Sequence, residues 1–213
     1  MIQLRIPSSF ARRVLLPAAL LLLSAHLLVM MYHYLIDDVP WLARQLFDVD
    51  EEHNLPTWFS GFILLVASAT LYVRRQAAEA GSVREKRLWS VLCGAFFVLA
   101  VDEVAGLHET INSATDVLWA YPALGVVAVV GLYFLPLLKE LPRSTLILYV
   151  LAGIIFVGGA VGVEIIGHPM DADTLTYQVA TFVEEGMEML GVILLIDTTL
   201  RDLAGTDARL RID

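Results

Sequence analysis

With 213 residues, 58% hydrophobic side chains and a mean hydropathy of +0.71, the chain is too apolar for a soluble domain. Its net charge is −9, and its basic residues are dispersed between apolar runs, which excludes a nucleic-acid-binding surface. The single cysteine, Cys93, excludes an intrachain disulfide and reads as a small core residue.

Runs of roughly 20 apolar residues, long enough to cross a bilayer, fall at about 14–36, 55–73, 88–109, 119–138, 144–167 and 175–199. The predicted fold class is therefore all-α: one polytopic membrane domain over residues 1–213, a bundle of six transmembrane helices in contact with the lipid bilayer. Thirteen of the fourteen basic residues lie on alternate connections. They are Arg5, Arg12 and Arg13; Arg74, Arg75, Arg84, Lys86 and Arg87; Lys139 and Arg143; and Arg201, Arg209 and Arg211. The positive-inside rule then places both termini in the cytoplasm. The first run exceeds a signal-peptide h-region and no A-x-A site precedes the acidic loop, so it is expected to be a retained span.

In chain order, span one ends in Tyr32, His33 and Tyr34, an interfacial aromatic belt, and carries the deeper His26, expected to bond a neighbouring helix. The next loop is acidic, with Asp48, Asp50, Glu51 and Glu52. Apolar residues at helical spacing between Val39 and Phe47 predict a short helix along the membrane surface. Asp48-x-Asp50-x-Glu52 lacks the glycine and distal glutamate of a calcium loop, so these acids are expected to be solvated. Asn54-Leu55-Pro56-Thr57 opens span two with a turn and an early proline.

Span three carries Asp102, Glu103, Gly106 and Glu109 within about a third of its circumference, taking 100° per residue. His108 joins that arc only if the helix unwinds. Span four reads as packing. In span five, Gly158 and Gly162 form a small-xxx-small pair for close helix approach. Glu164 and His168 then follow four apart on one face, a spacing that can hold one metal ion. In span six, Tyr177, Gln178, Thr181, Glu184, Glu185 and Glu188 share one face. Val179, Phe182, Val183, Met187 and Leu190 are expected to meet lipid.

An acid near mid-membrane costs roughly 2.5–3.5 kcal/mol to insert, so three or four approach the whole stability of a domain, about 10 kcal/mol. No Lys or Arg lies in the same halves of these spans. A divalent metal ion (Zn, Mn, Fe, Mg or Ca) is the expected cofactor, with Glu103, Glu109, His108, Glu164, His168, Glu184 and Glu188 as candidate ligands. Glu185 and Asp102 are the candidate general bases of a membrane enzyme acting on a lipid-borne substrate. A cation or proton transporter or ion sensor would use the same acids, and a structural or assembly subunit would keep them protonated or interfacial. The sequence does not fix the oligomeric state.

The acidic loop, Asn54-Leu55-Pro56-Thr57-Trp58-Phe59-Ser60, Asp102-Glu103-x-x-x-x-His108-Glu109 and Glu184-Glu185-x-x-Glu188-Met189-x-Gly191 together resemble an uncharacterised group of bacterial multi-pass membrane proteins. The resemblance covers most of the chain and implies location in the bacterial cytoplasmic (inner) membrane. It implies no activity.

Overall fold

A computed structural model describes residues 7–78, 82–115 and 117–205, and every regular element in them is helical. Eight helices run in chain order: α1 (Ala11–Leu35), α2 (Trp41–Phe47), α3 (Leu55–Ala77), α4 (Val83–Ala105), α5 (Leu107–Thr115), α6 (Ala120–Leu138), α7 (Arg143–Gly167) and α8 (Leu175–Gly205). Four of them, α1, α3, α4 and α7, are long and apolar enough to cross a membrane. The remaining two expected spans differ in kind. Helix α6 is shorter, and α8 is long enough but interrupts its apolar run with Glu184, Glu185 and Glu188. The third expected span also stops earlier than 109, because Gly106 adopts the left-handed conformation (φ 57°) and ends α4.

The short helix predicted in the first loop is present as α2. Asn54 joins it to α3. Its Oδ1 accepts from the Thr57 N–H at 3.1 Å, capping α3, while Nδ2 donates to the carbonyls of Gln45 (3.0 Å) and Asp48 (2.5 Å). Pro56 occupies the first turn of α3, where its missing N–H is not needed. Sequence and structure agree closely here.

Helix α8 is the centre of the bundle, packing on α1, α3 and α7. Met189, Val192 and Ile196 of α8 join Leu15, Ile63, Leu71 and Trp89 in one buried core. The approach of α8 to α7 depends on two glycines. A Cβ on Gly159 would meet the Glu184 carbonyl oxygen at 2.6 Å, and one on Gly191 would meet the Phe156 backbone nitrogen at 2.7 Å. Here the small-residue pairing differs from the one expected. Gly158 touches Met187, but nothing lies within 4 Å of a Cβ on Gly162, so Gly159 takes that role. This contact coincides with a π-helical turn over Gly158–Val163.

Ion pairs close the end of the bundle where α3 finishes and α4 begins. Asp197, only 3% exposed, accepts from Arg12 Nε at 3.0 Å and pairs with Arg201. Arg74 Nε donates to Asp202 at 2.6 Å, its Nη1 pairs with Glu85 at 3.1 Å, and its guanidinium lies 4.9 Å over the Trp89 ring. Arg12, Arg74 and Arg201 thus hold structure together at this end.

Replacing Gly191 by Leu should push α7 from α8, because backbone atoms of Phe156 occupy the space. The expected loss is at least the 1–3 kcal/mol typical of overpacking, read as a lower melting temperature in detergent. Gly162→Ala should melt at or above wild type.

Candidate functional site

Glu184, Glu185 and Glu188 of α8 lie away from the arginine pairs, toward the opposite end of the helix. One and two turns earlier, Thr181 and Gln178 are buried, and the fully buried His26 bridges from α1. His26 Nδ1 accepts from the Val49 N–H at 3.2 Å, which leaves the proton on Nε2, 3.4 Å from the Gln178 carbonyl. The expected helix-bonded role of His26 is what the structure shows. Val179, Val183 and Leu190 are exposed on the other side of α8 as expected. Met187 and Phe182 are not: Met187 fills the contact with Gly158 and Gly159, and Phe182 packs on the core.

Three segments bring their carboxyls together. Glu188 feels the charges of Glu103, Glu184, Glu164 and Asp102. Glu185 feels those of Glu188, Glu103, Glu184 and Asp50. Glu103 is within hydrogen-bonding reach of the buried Ser60 on α3. Glu164, placed just after the π turn, is within hydrogen-bonding reach of Glu184. Ionised carboxylates only accept, so a bond between two carboxyls contains a proton. Among the described residues no three His, Cys, Asp or Glu side chains converge as a metal-binding group.

The break at Gly106 turns the chain so that His108 joins this face. Both oxygens of Asp102 accept from His108, Oδ1 from its backbone N–H at 3.0 Å and Oδ2 at 3.1 Å from Nδ1. Asp102 therefore orients an imidazole instead of standing free as a base. His108 in turn lies within electrostatic reach of Glu103, Glu164 and Glu184. His168 keeps its register with Glu164 but is exposed at the rim. The Glu109 side chain lies outside the described part of the structure.

Two loop acids border this site, Asp50 exposed as expected and Glu52 partly buried. Asp50 accepts from the Tyr177 hydroxyl at 2.9 Å and adds its charge to Glu164, Glu184 and Glu185. Glu52 lies over Gly106, where an added Cβ would come within 2.5 Å of its Oε1. That oxygen is buried and, among the described residues, has no hydrogen-bond partner. Their alternation in Asp48-x-Asp50-x-Glu52 was visible, but nothing local indicated that the loop folds back over α4 and α8. In the same loop, burial pushes the Asp48 carboxyl up, while the Asp50 N–H it accepts pulls it back.

An all-helical bundle with four membrane-length apolar helices, ion-paired at one end and carrying a glutamate cluster at the other, defines a helical membrane-protein class. Within it, the chain belongs to the family described as Domain of unknown function (DUF8692), whose model matches residues 14–203. No curated protein and no solved structure matches the chain.

Gly106→Ala should lower the melting temperature through two separable effects, the left-handed backbone and the Glu52 carboxylate. Adding Glu52→Ala should recover only the steric part. Additive losses in this double-mutant cycle would contradict the contact.

Proposed function

We propose that this is a multi-pass protein of the bacterial inner membrane, with six spans and both termini cytoplasmic, that binds cations at an acidic site reached from the outer side. The supporting observation is the unpartnered, buried Glu52 oxygen beside Glu103, in a cluster that includes Glu164, Glu184, Glu185 and Glu188 and has no Lys or Arg among its charge neighbours. Carboxyl oxygens with one imidazole suit protons and hard or borderline divalent ions alike. Glu103, Glu164, Glu184 and Glu188 would have to draw together around such an ion to hold it, and it would supply charge compensation and Lewis acidity. Past Glu188, α8 buries Met189, Val192, Ile193 and Ile196 before the polar Asp197, Thr198 and Thr199, so about two apolar turns separate the site from the polar groups of the other end. One-sided binding, as in a sensor, is therefore favoured over transport.

The Asp102–His108 pair favours a second reading, a metal-dependent enzyme acting on a lipid-borne ester or phosphate. In it His108, held by Asp102, takes the general-base role, and Glu185 remains in the charged wall around it.

A divalent ion at a hundred times its Kd adds about 2.7 kcal/mol of stability. Chelator should then lower the melting temperature, metal should restore it, and Glu188→Gln should abolish the response. If protons alone fill the site, chelator has no effect. If Glu164 and Glu184 share a proton there, its loss leaves two facing carboxylates, so stability should fall as pH rises and Glu184→Gln should flatten that fall. Indifference to both chelator and pH would overturn the cation-binding reading.

A further inference from the structure

At the arginine-rich end, a crevice of about 560 Å³ separates the start of α4 from the end of α6. Arg84, Arg87 and Leu88 line one wall, three and four apart and so on one helix face. Leu132, Tyr133 and Pro136 line the other. Arg74 is consumed by Asp202, Glu85 and Trp89, but Arg84 and Arg87 are exposed, and among the described residues neither has an ion-pair or hydrogen-bond partner. Leu132 and Tyr133 are likewise exposed, at 67% and 45%. Helix α6 is joined to the bundle only sparsely. A second, apolar cavity of about 190 Å³, with Leu92, Phe96, Val130, Phe134 and Phe156 among its walls, remains where it fails to pack tightly on α4, α7 and α8.

We infer that the α4–α6 crevice is a binding site for an anionic phospholipid. Two guanidiniums present bidentate donors to a phosphate, and the Tyr133 hydroxyl adds a third group. Leucine and proline below them offer an apolar wall to the acyl chains. Two unpaired arginines over an apolar wall complement a molecule carrying a negative head and a hydrocarbon body. Basic pockets between membrane helices at the cytoplasmic surface bind anionic headgroups on these principles. A lipid seated there bridges α4 and α6, supplying contacts that the protein itself lacks. The inference rests on the membrane reading and is independent of the acidic site.

The test compares melting of the full chain in detergent with added phosphatidylglycerol, phosphatidylcholine or inorganic phosphate. Phosphatidylglycerol should raise the melting temperature by several degrees more than phosphatidylcholine, and inorganic phosphate should not reproduce the gain. Arg84→Gln with Arg87→Gln should remove most of the difference while melting like wild type in phosphatidylcholine. Arg143→Gln, outside the crevice, should keep it. If the double variant fails to fold, Leu132→Trp, which fills the crevice, should suppress the same response. Equal effects of the two lipids, a full response in the variants, or an equal effect of inorganic phosphate would each overturn the proposal. Loss of this response with an intact chelator or pH response at the acidic end would separate the two sites.

Discussion

A carboxylate in an apolar bundle must find a positive charge or hold a proton, and this protein meets that demand differently at its two ends. At one end Asp197, Asp202 and Glu85 find Arg12, Arg201 and Arg74. At the other, five glutamates from α4, α7 and α8 have one another, a serine and an oriented histidine. Breaking a buried pair leaves an uncompensated charge and costs about 3–5 kcal/mol. The arginine end can therefore be stable without help. On the cation-binding proposal, the glutamate end takes its compensating charge from outside the chain.

Packing serves that asymmetry. Gly159 and Gly191 let α7 and α8 come within backbone contact. Next to Gly159 the π-helical turn delivers Glu164 toward Glu184. On the opposite wall, Gly106 ends α4 in the left-handed conformation, so that His108 folds back on Asp102 and Glu52 covers the turn. In each case a local departure from regular helix aims a polar group at the cluster.

The helical class, the Asn54 turn and the acid face of Glu184, Glu185 and Glu188 were all legible from periodicity and hydropathy. Each depends on residues close in sequence. The break at Gly106 was visible only as a condition on His108, because a glycine after a helical run fits either a close approach or a C-cap. The substitution of Gly159 for Gly162 depends on the extra residue that the π turn inserts, which shifts the facing register. That Glu52 is partly buried, and that exposed Asp50 reaches the site, could not be read locally because the fold of their loop over α4 and α8 is set by long-range contacts such as Tyr177 to Asp50.

The central claim is that protons or an added cation, and not the chain's own Lys and Arg, neutralise the glutamate end. Infrared difference spectroscopy of the protein in bilayers, free of divalent ions and at neutral pH, tests this most directly. The account predicts a protonated-carboxyl carbonyl band that weakens in Glu184→Gln, persists in Glu85→Gln, and diminishes when a bound divalent ion takes the proton's place. A spectrum without such a band, identical in wild type and Glu184→Gln and with no metal bound, would contradict it.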